Sequence, residues 1–408
     1  MATPPIEPLL PQLPVLIAGG GIGGLATALA LLRQGFPVVV YEQAPAFGEI
    51  GAGVQISANG ARCLFALGLE RALQECWSEP LGKEVRVWNS GETWKLFDLG
   101  VASRARYGAP YFMIHRGDLH RILLEAVRAL APDAVVPGAQ AEGFAQDADA
   151  VTLALADGRR VMGCALIAAD GVHSRIRNQL FGEQRADFIG CVAWRGLLPV
   201  AVLPERLRRA VGTNWVGPGG HVVHYLVRGG TLLNIVGLIE RDDWRVESWT
   251  AQGTTEECLN DFPGWHPDIQ LMFRNVATPY KWALLGRSPL ARWSEGRVTL
   301  LGDAAHPTLP MMAQGANMAI EDAIVLARCF DLDRGYAAAA LARYERARRE
   351  RTSRIVNAAN DNAKRFHNPA LATSEGARRY VDSEWQEDKV KARYDWVFDY
   401  DATSVALP

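Results

Sequence analysis

The chain lacks an excess of charge of either sign. Its 408 residues carry 43 Lys and Arg against 45 Asp and Glu, for a formal net charge of −2. It also lacks a run of Lys and Arg interleaved with aromatic residues, which a nucleic-acid groove would need. Nucleic acid is therefore not an expected partner. The length and the 49% hydrophobic content are sufficient for roughly two to three domains.

Cysteines are few, and none of them stands at the C-x-x-C spacing that zinc and redox sites use. The six cysteines are Cys63, Cys76, Cys164, Cys191, Cys258 and Cys329. Their scatter predicts free, buried thiols in a reducing compartment and no metal site. A cytoplasmic location is therefore expected.

Long apolar runs are absent as well. Gly, Arg or Gln interrupts the longest apolar stretches well before the ~20 residues of a membrane span. The start of the chain holds five prolines between Pro4 and Pro14 and lacks the positive charge and apolar stretch of a signal peptide, which predicts a short flexible leader. We expect a soluble protein with no membrane contact, either a monomer or a homodimer.

The first clear pattern is a strand, a helix and a second strand, at residues 15–18, 25–33 and 38–41. Gly19, Gly21 and Gly24 form G-x-G-x-x-G directly after the first strand, where glycines let the backbone and the helix N-terminus approach a pyrophosphate. Glu42 ends the second strand at the spacing of an acid that accepts ribose hydroxyls. These residues predict a dinucleotide site, which could hold NAD or FAD.

The remaining chain divides by composition. Aromatic and β-branched residues dominate the segments 85–98 and 190–241, which predict an antiparallel sheet, and an α/β pattern returns near Val298. The expected domains are a discontinuous dinucleotide-binding domain, an inserted β-sheet domain and a C-terminal helical region. Their predicted bounds are 1–80, 100–182 and 283–335 for the first, 81–99 and 183–282 for the second, and 336–408 for the third.

Three further motifs carry a family resemblance. They are Gly302-Asp303-Ala304-Ala305-His306-Pro307, Ala169-Asp170-Gly171 and His115-Arg116-Gly117-Asp118. In order and spacing, together with the glycine triplet, they resemble the class A flavoprotein monooxygenases, the single-component FAD-dependent aromatic hydroxylases. Phrases at 45–56 and 318–323 are most similar to the branch that acts on 3-hydroxybenzoate, salicylate and 6-hydroxynicotinate.

The resemblance implies a fold and a set of cofactors. The fold is α/β: a Rossmann-like FAD-binding domain of the glutathione-reductase type, with an inserted antiparallel β-sheet substrate domain and a helical C-terminal tail. FAD would be bound, and NADH or NADPH would dock transiently, because no second glycine fingerprint follows a strand; O2 is the other cosubstrate. The implied FAD-binding residues are Gly19, Gly21, Gly24, Glu42, Gly53, Val54, Arg116, Asp170, Gly302, Asp303, Pro310, Gly315, Ala316 and Asn317.

A hydroxylase of phenols needs a base, because removing the phenol proton makes the ortho and para carbons nucleophilic, and histidine suits this role. Alternation along a strand places His221 and Tyr225 on one face. The resemblance implies that these two residues and Gln314 handle the substrate, with His221 as the base. An ordinary half-buried sheet histidine is the alternative. His306 is the rival base and is expected to be structural, while Arg195 would bind a carboxylate or, by preference, form a surface salt bridge.

The implied function is hydroxylation of a small phenolic or heteroaromatic acid through a flavin C4a-hydroperoxide, with the glycine-rich loop 48–53 permitting flavin movement. Three alternatives stay open. One is a monooxygenase or epoxidase of the same fold that acts on a quinolone or polyketide. Another is a flavin-binding redox protein without turnover. The third is an NAD-linked dehydrogenase, which predicts a colourless preparation.

Overall fold

The computed structural model describes residues 13–48, 52–183, 187–244 and 251–408. Most of the proline-rich leader and residues 49–51 of the glycine-rich loop lie outside the described residues, so the expectations for both stay predictions. Within the described ranges, no helix is long and apolar enough to cross a membrane.

Strands and helices are numbered in chain order. The strands are β1 (Val15–Ala18), β2 (Val38–Tyr41), β3 (Gly53–Ile56), β4 (Gly82–Val87), β5 (Thr93–Asp98), β6 (Phe112–His115), β7 (Val135–Val136), β8 (Ala141–Gln146), β9 (Val151–Leu155), β10 (Arg160–Gly163), β11 (Ala165–Ala168), β12 (Asp187–Pro199), β13 (Val211–Gly217), β14 (Gly220–Val227), β15 (Leu232–Glu240), β16 (Tyr280–Gly286), β17 (Ser294–Glu295) and β18 (Val298–Leu300). The helices are α1 (Ile22–Arg33), α2 (Ala58–Ala66), α3 (Glu70–Gln74), α4 (Val101–Tyr107), α5 (Arg116–Leu130), α6 (Arg175–Phe181), α7 (Thr255–Asn260), α8 (Pro267–Arg274), α9 (Gly315–Leu332), α10 (Ala337–Phe366), α11 (Ser374–Glu384) and α12 (Glu387–Phe398).

The first layer is a sheet with the strand order β17-β18-β11-β1-β2-β7. Strand β1 pairs in parallel with both β2 and β11, and its four apolar residues are fully buried. Burial on both faces explains why this strand is apolar throughout and not alternating. The turns that follow β1, β11 and β18 therefore meet at the carboxyl edge of the sheet, which is where ligands bind in such folds.

The second layer is a sheet with the strand order β16-β12-β15-β14-β13-β4-β5. Its pairs are antiparallel, as the sequence predicts, except that β13 runs parallel to β4. The exception has a topological cause: β4 and β13 are far apart in sequence and no hairpin turn joins them. One face packs on α7 and α8 through a separate cluster that includes Trp194 and Trp215. The opposite face packs on the core of the first layer through Tyr225 and Leu238.

The C-terminal region is helical, as predicted, and it is part of the core. Helix α10 runs from Ala337 to Phe366 against α9. Its inward residues Tyr344, Arg348 and Ile355 are completely buried. This region therefore closes the space between the two layers and does not lie loosely on the surface.

Candidate functional site

The turn from β1 into α1 has the form of a dinucleotide cradle. A methyl group at Gly24 would lie 2.0 Å from the carbonyl oxygen of Gly19, whereas one at Gly21 would meet no atom within 4 Å. Gly24 is therefore required by the packing of helix on strand, while Gly21 borders open space at the helix N-terminus. The Glu42 carboxylate accepts hydrogen bonds from the amides of Gly20 at 2.7 Å and Ala44 at 2.8 Å, which fixes it at the end of β2.

A charged cleft continues from this cradle. Arg116, the first residue of α5, interacts with both Asp303 and Glu42; burial lowers its pKa, and the two carboxylates oppose that effect. Burial raises the pKa of Asp303, against the influence of His306 and Arg116. Asp303 is nevertheless accessible to solvent, so its carboxylate opens into a cleft. The arrangement suits a long ligand with hydroxyl groups near each acid and phosphates between them.

Asp170 lies beside the cradle, at the end of β11. Its Oδ2 accepts the amide of Arg175 at 3.0 Å. Its Oδ1 is buried without a hydrogen-bond partner in the part of the chain that the structure describes. A buried carboxylate oxygen left unpaired is costly, and a ribityl or ribose hydroxyl would satisfy it. This orphaned atom and the space at Gly21 both fit a bound FAD.

The start of α9 is tied to the glycine-rich strand β3. Asn317 accepts the amide of Ser57 at 3.1 Å and donates to the carbonyl of Gln55 at 3.0 Å. Ala313 lies just before the helix in the left-handed region, with φ of 52°, a conformation that costs energy outside glycine. The loop begins with the Pro310–Met312 turn, and Gly315 and Ala316 form the first turn of α9. The N-terminus of α9, which is the positive end of its helix dipole, therefore lies at this loop. An anionic flavin would be stabilised there.

The β3 strand also contacts the second sheet. The amide of Gly53 donates to Oδ1 of Asn234 at 2.7 Å, and a methyl group at Gly53 would overlap the ring of Tyr225 at 2.6 Å. Val54, next along β3, is half-buried. The structure thus brings Gly53, Val54 and Asn317 from the predicted cofactor set together with Tyr225 from the predicted substrate set.

The face of the second sheet that carries His221 and Tyr225 is incompletely covered, and we infer a cavity there. Asn214, Val223 and Val236 are register partners across three neighbouring strands. They sit in the middle of the sheet on that face, yet each of them is partly exposed. Side chains that keep solvent contact at the centre of a covered sheet indicate an internal space between the layers. His221 and Tyr225 flank Val223 along β14, so they lie on opposite sides of this row.

The Tyr225 end holds a polar cluster that sequence reasoning missed. Gln55 hydrogen-bonds to Tyr225, and its Oε1 also accepts the Tyr111 hydroxyl and the Lys83 ammonium, each at 2.6 Å. Burial lowers the pKa of Lys83 to about 7 and raises the pKa of Tyr225. No motif signals this cluster, because its members come from four separate strands and loops.

The His221 end is bounded by the C-terminal region. His221 is 2% exposed, its Nδ1 lies 2.7 Å from Nε2 of His367, and its ring contacts Phe366 at 5.1 Å between centroids. Burial and the neighbouring His367 hold the pKa of His221 well below its usual value, so its imidazole is neutral at pH 7. A neutral imidazole accepts a proton. No sequence motif indicates His367, which directly follows α10.

Gln314 lies directly before α9. Its Oε1 accepts from Asn59 and its Nε2 donates to Ser57, each at 3.0 Å, so its amide faces α2. None of its hydrogen bonds among the described residues goes to His221 or Tyr225. Its grouping with them in catalysis stays a prediction.

Two further candidates have clear positions. Arg195 is 3% exposed and stacks over Tyr280 and Trp282, at 5.4 and 5.1 Å from the ring centroids. The expected surface salt bridge is therefore wrong, because the side chain lies on the covered face beside Val236. Burial and the nearby Arg116 lower the pKa of Arg195 to about 10, so it stays charged. His306 is buried with its Nε2 at 2.6 Å from Asp322, in the structural place expected for it.

Comparisons with known proteins agree with this geometry. Residues 12–359 match the family described as FAD binding domain. The chain is 38% identical over 395 residues to 3-amino-4-hydroxybenzoate 2-monooxygenase of Streptomyces platensis, covering 96% of this chain and 97% of that protein. It is 37% identical over 394 residues to 3-hydroxybenzoate 6-hydroxylase of Polaromonas naphthalenivorans (strain CJ2), covering 95% and 96%. A solved salicylate hydroxylase substrate complex matches with a TM-score of 0.78 and 26% identity over 96% of both chains.

Proposed function

Because the chain belongs to the FAD-dependent aromatic hydroxylases, a family of monooxygenases with the matched FAD-binding domain, we propose that it hydroxylates a small phenolic or heteroaromatic acid in the cavity between its two sheets. FAD is its cofactor, and NADH or NADPH and O2 are its cosubstrates. The observation that carries the proposal is His221, a buried histidine with a low pKa, on the sheet face that borders the inferred cavity. Both curated relatives named above act on hydroxybenzoates, which supports a phenolic acid here.

The cofactor would lie along the charged cleft. Glu42 would accept the adenosine ribose hydroxyls, Arg116 would face the phosphates, and Asp170 and Asp303 would accept hydroxyls of the ribityl chain. Bound FAD supplies hydride acceptance from the nicotinamide and transfer of an electrophilic oxygen to the ring. The residues around Gly315 would place its ring system at the cavity and shield it from water.

His221 acts on the substrate hydroxyl. A phenol has a pKa near 10, so it is neutral at pH 7 and its ring is a poor nucleophile. A neutral imidazole within hydrogen-bond reach of the hydroxyl would accept its proton, which makes the ortho and para ring carbons nucleophilic. Tyr225 and Gln314 are the other residues that we propose to orient the ring.

The substrate carboxylate is best accommodated by Arg195. It borders the same cavity through its register partner Val236 and stays charged at neutral pH, whereas the ammonium of Lys83 is half-neutral there. A permanent guanidinium pairs with a carboxylate in bidentate geometry. The cavity thus offers a base at one side and a cation at the other.

We also propose that the protein is cytoplasmic, because its six cysteines are free and NAD(P)H is a cytoplasmic reductant. The choice between monomer and homodimer stays a prediction.

The function is tested with the His221→Ala variant. We expect FAD binding to be retained, since the side-chain contacts described for His221 are with Phe366 and His367. Hydroxylation at pH 7 should fall by about 10²–10⁴-fold. Activity should recover partly as the pH approaches the phenol's own pKa. The assay follows NADH consumption, hydrogen peroxide and product with 3-hydroxybenzoate, salicylate, 6-hydroxynicotinate and a quinolone, each added separately.

The matched control is His224→Ala. His224 lies on the same strand but points to the opposite face, near Arg86 and Asp268, so turnover per bound flavin should stay at the wild-type level. Equal activity of His221→Ala and wild type would remove His221 from the reaction. Stimulation by the quinolone alone would move the substrate class away from phenolic acids.

A further inference from the structure

Three titratable side chains form a row from the cavity to the protein surface. His221 Nδ1 lies 2.7 Å from His367 Nε2, and His367 Nδ1 lies 3.0 Å from Oε1 of Glu240. Both histidines are buried: His221 is 2% exposed, and so is the side chain of His367. The Glu240 side chain, in contrast, is 56% exposed. The row therefore connects a buried imidazole to solvent through one intermediate group.

The hydrogen bonds assign the tautomers of both histidines. A carboxylate only accepts, so Nδ1 of His367 carries hydrogen and, in a neutral ring, its Nε2 is the acceptor. His221 must then donate from Nδ1, which leaves Nε2 of His221 as its basic nitrogen. His221 stands on the strand face that lines the cavity, so Nε2 is the atom available to a ligand hydroxyl there.

We propose that this row is a proton exit path for the substrate hydroxyl, with His367 and Glu240 as positioning residues that act through His221. The proposal rests on the proposed function, because it takes the proton from a phenol. The O–H bond of the phenol breaks as Nε2–H of His221 forms. Nδ1–H of His221 breaks as Nε2–H of His367 forms, and Nδ1–H of His367 breaks as the O–H of Glu240 forms. Glu240 then releases the proton to water, and no oxidant or further reactant is needed.

The surroundings keep the row in place and add few other charges. The carbonyl of His367 accepts the amide of Gly219 at 3.2 Å, and the amide of Glu240 donates to the carbonyl of Gly219 at 2.7 Å. Cys191, on β12, lies beside the contact between His367 and Glu240. Its sulfur is within 4.8 Å of a ring nitrogen of His367 and a carboxylate oxygen of Glu240. Burial and Glu240 raise the pKa of that thiol to about 12, so it remains neutral. Burial lowers the pKa of His367, and the Glu240 side chain opposes that effect.

The arrangement is tested first without turnover. Nitrogen-15 NMR of histidine-labelled, FAD-loaded protein at pH 7 should show His221 and His367 neutral and both protonated at Nδ1. His221→Gln and His367→Gln variants assign the signals. A His221 ring protonated at Nε2, or charged at pH 7, would overturn the path, and this result does not depend on which substrate the enzyme uses.

The second test is kinetic. FAD-loaded enzyme is mixed with 3-hydroxybenzoate or 6-hydroxynicotinate, and the absorbance of the ionised ring and a pH indicator are followed together. His367→Asn should slow ring ionisation and proton release at least about tenfold, and Glu240→Gln should slow them less, with little change in KM and with a shifted pH profile. Glu125→Gln is the control: its side chain is 62% exposed and paired with Arg121 on α5, and it should match wild type.

The outcomes separate the two claims. Loss of ring ionisation in His221→Ala with wild-type rates in His367→Asn and Glu240→Gln would remove the path and keep the proposed function. Unchanged ionisation in His221→Ala would instead remove the base itself. If neither acid binds, the tautomers decide whether the path exists.

Discussion

At the scale of the residue, Lys83 shows how the fold changes the chemistry of a single group. Its ammonium donates to Gln55 at 2.6 Å and lies 4.8 Å from the centroid of the Tyr111 ring. Burial lowers its pKa from 10.5 to about 7. A lysine that is half-neutral at pH 7 beside the cavity can serve the substrate, but keeping it there destabilises the fold, because the unfolded chain binds its proton more tightly.

The variant Lys83→Met tests this cost. Between pH 7 and 10.5 the unfolded chain holds a proton that the native lysine has released, so the stability of the wild type rises with pH across that window. The variant lacks this pH-dependent destabilisation. Its free energy of unfolding at pH 7 should therefore exceed the wild-type value by about 1–3 kcal/mol. The difference should shrink towards pH 10.5 in denaturant titrations.

The control for Lys83 is Lys95→Met on the neighbouring strand. The Lys95 side chain is 67% exposed, and its removal should change stability little at any pH. A stability gain that does not vary with pH in Lys83→Met would show that its native pKa is ordinary.

At the scale of the element, helices α9 and α10 are joined by a buried charge network. Arg348 is fully buried and bonds to Glu321 at 2.6 Å and to Asp322 at 2.7 Å. Burial alone would raise the pKa of both carboxyls. Arg351 and Arg348 nevertheless hold the pKa of Glu321 below its usual value. His306 and Arg348 do the same for the pKa of Asp322. The network therefore ties α9 to the C-terminal region that carries His367.

Removing the buried cation should be costly. Arg348→Met leaves two buried carboxylates without one of their partners, and the free energy of unfolding at pH 7 should fall by about 3–5 kcal/mol. The native carboxyl pKa values are depressed, so the stabilisation is present above the ordinary carboxyl pKa and is lost as the pH falls below it. The loss caused by the substitution should therefore diminish towards pH 4 in chemical denaturation.

Arg349→Met, one residue further along α10, is the comparison. Arg349 is 46% exposed and pairs with Glu345, so its removal should cost less than about 1 kcal/mol. Similar losses in the two variants would mean that the buried network contributes no more than a surface pair.

The turn between β1 and α1 offers a second test at this scale. Gly24→Ala places a methyl group 2.0 Å from the Gly19 carbonyl oxygen and should destabilise the protein without FAD by about 1–3 kcal/mol. Gly21→Ala meets no protein atom within 4 Å, so folding should be unaffected while the Kd for FAD rises at least about tenfold, because the methyl occupies the cleft. Thermal melting and FAD titration separate these effects; unchanged FAD affinity in Gly21→Ala would place the dinucleotide elsewhere.

At the scale of the whole molecule, the two large sheets and the C-terminal helices border the inferred cavity, and these parts were not equally predictable from the sequence. The glycine turn, Glu42 and the start of α9 were predictable because each depends on a short local pattern. The family resemblance and its cofactor, which rest on such motifs, are confirmed. The predicted domain bounds and the role of each site residue stay predictions.

The rest depends on contacts between distant segments. Residues His221 and His367 are far apart in sequence and meet because α10 closes the cavity. The sequence of the strand around Arg195 does not indicate which of its faces the first layer covers. The surface salt bridge expected for Arg195 was therefore wrong. The parallel pairing of β4 with β13 likewise follows from topology and not from any turn.

The most direct test of the central claim is oxygen-isotope labelling. Purified, FAD-loaded protein is supplied with NADH, 18O2 and 3-hydroxybenzoate or the acid that best stimulates NADH consumption, and the product is analysed by mass spectrometry. We expect a hydroxylated ring that carries one 18O atom for each NADH consumed, with little peroxide. A product without the label, or NADH consumption that yields only peroxide with every acid, would contradict it.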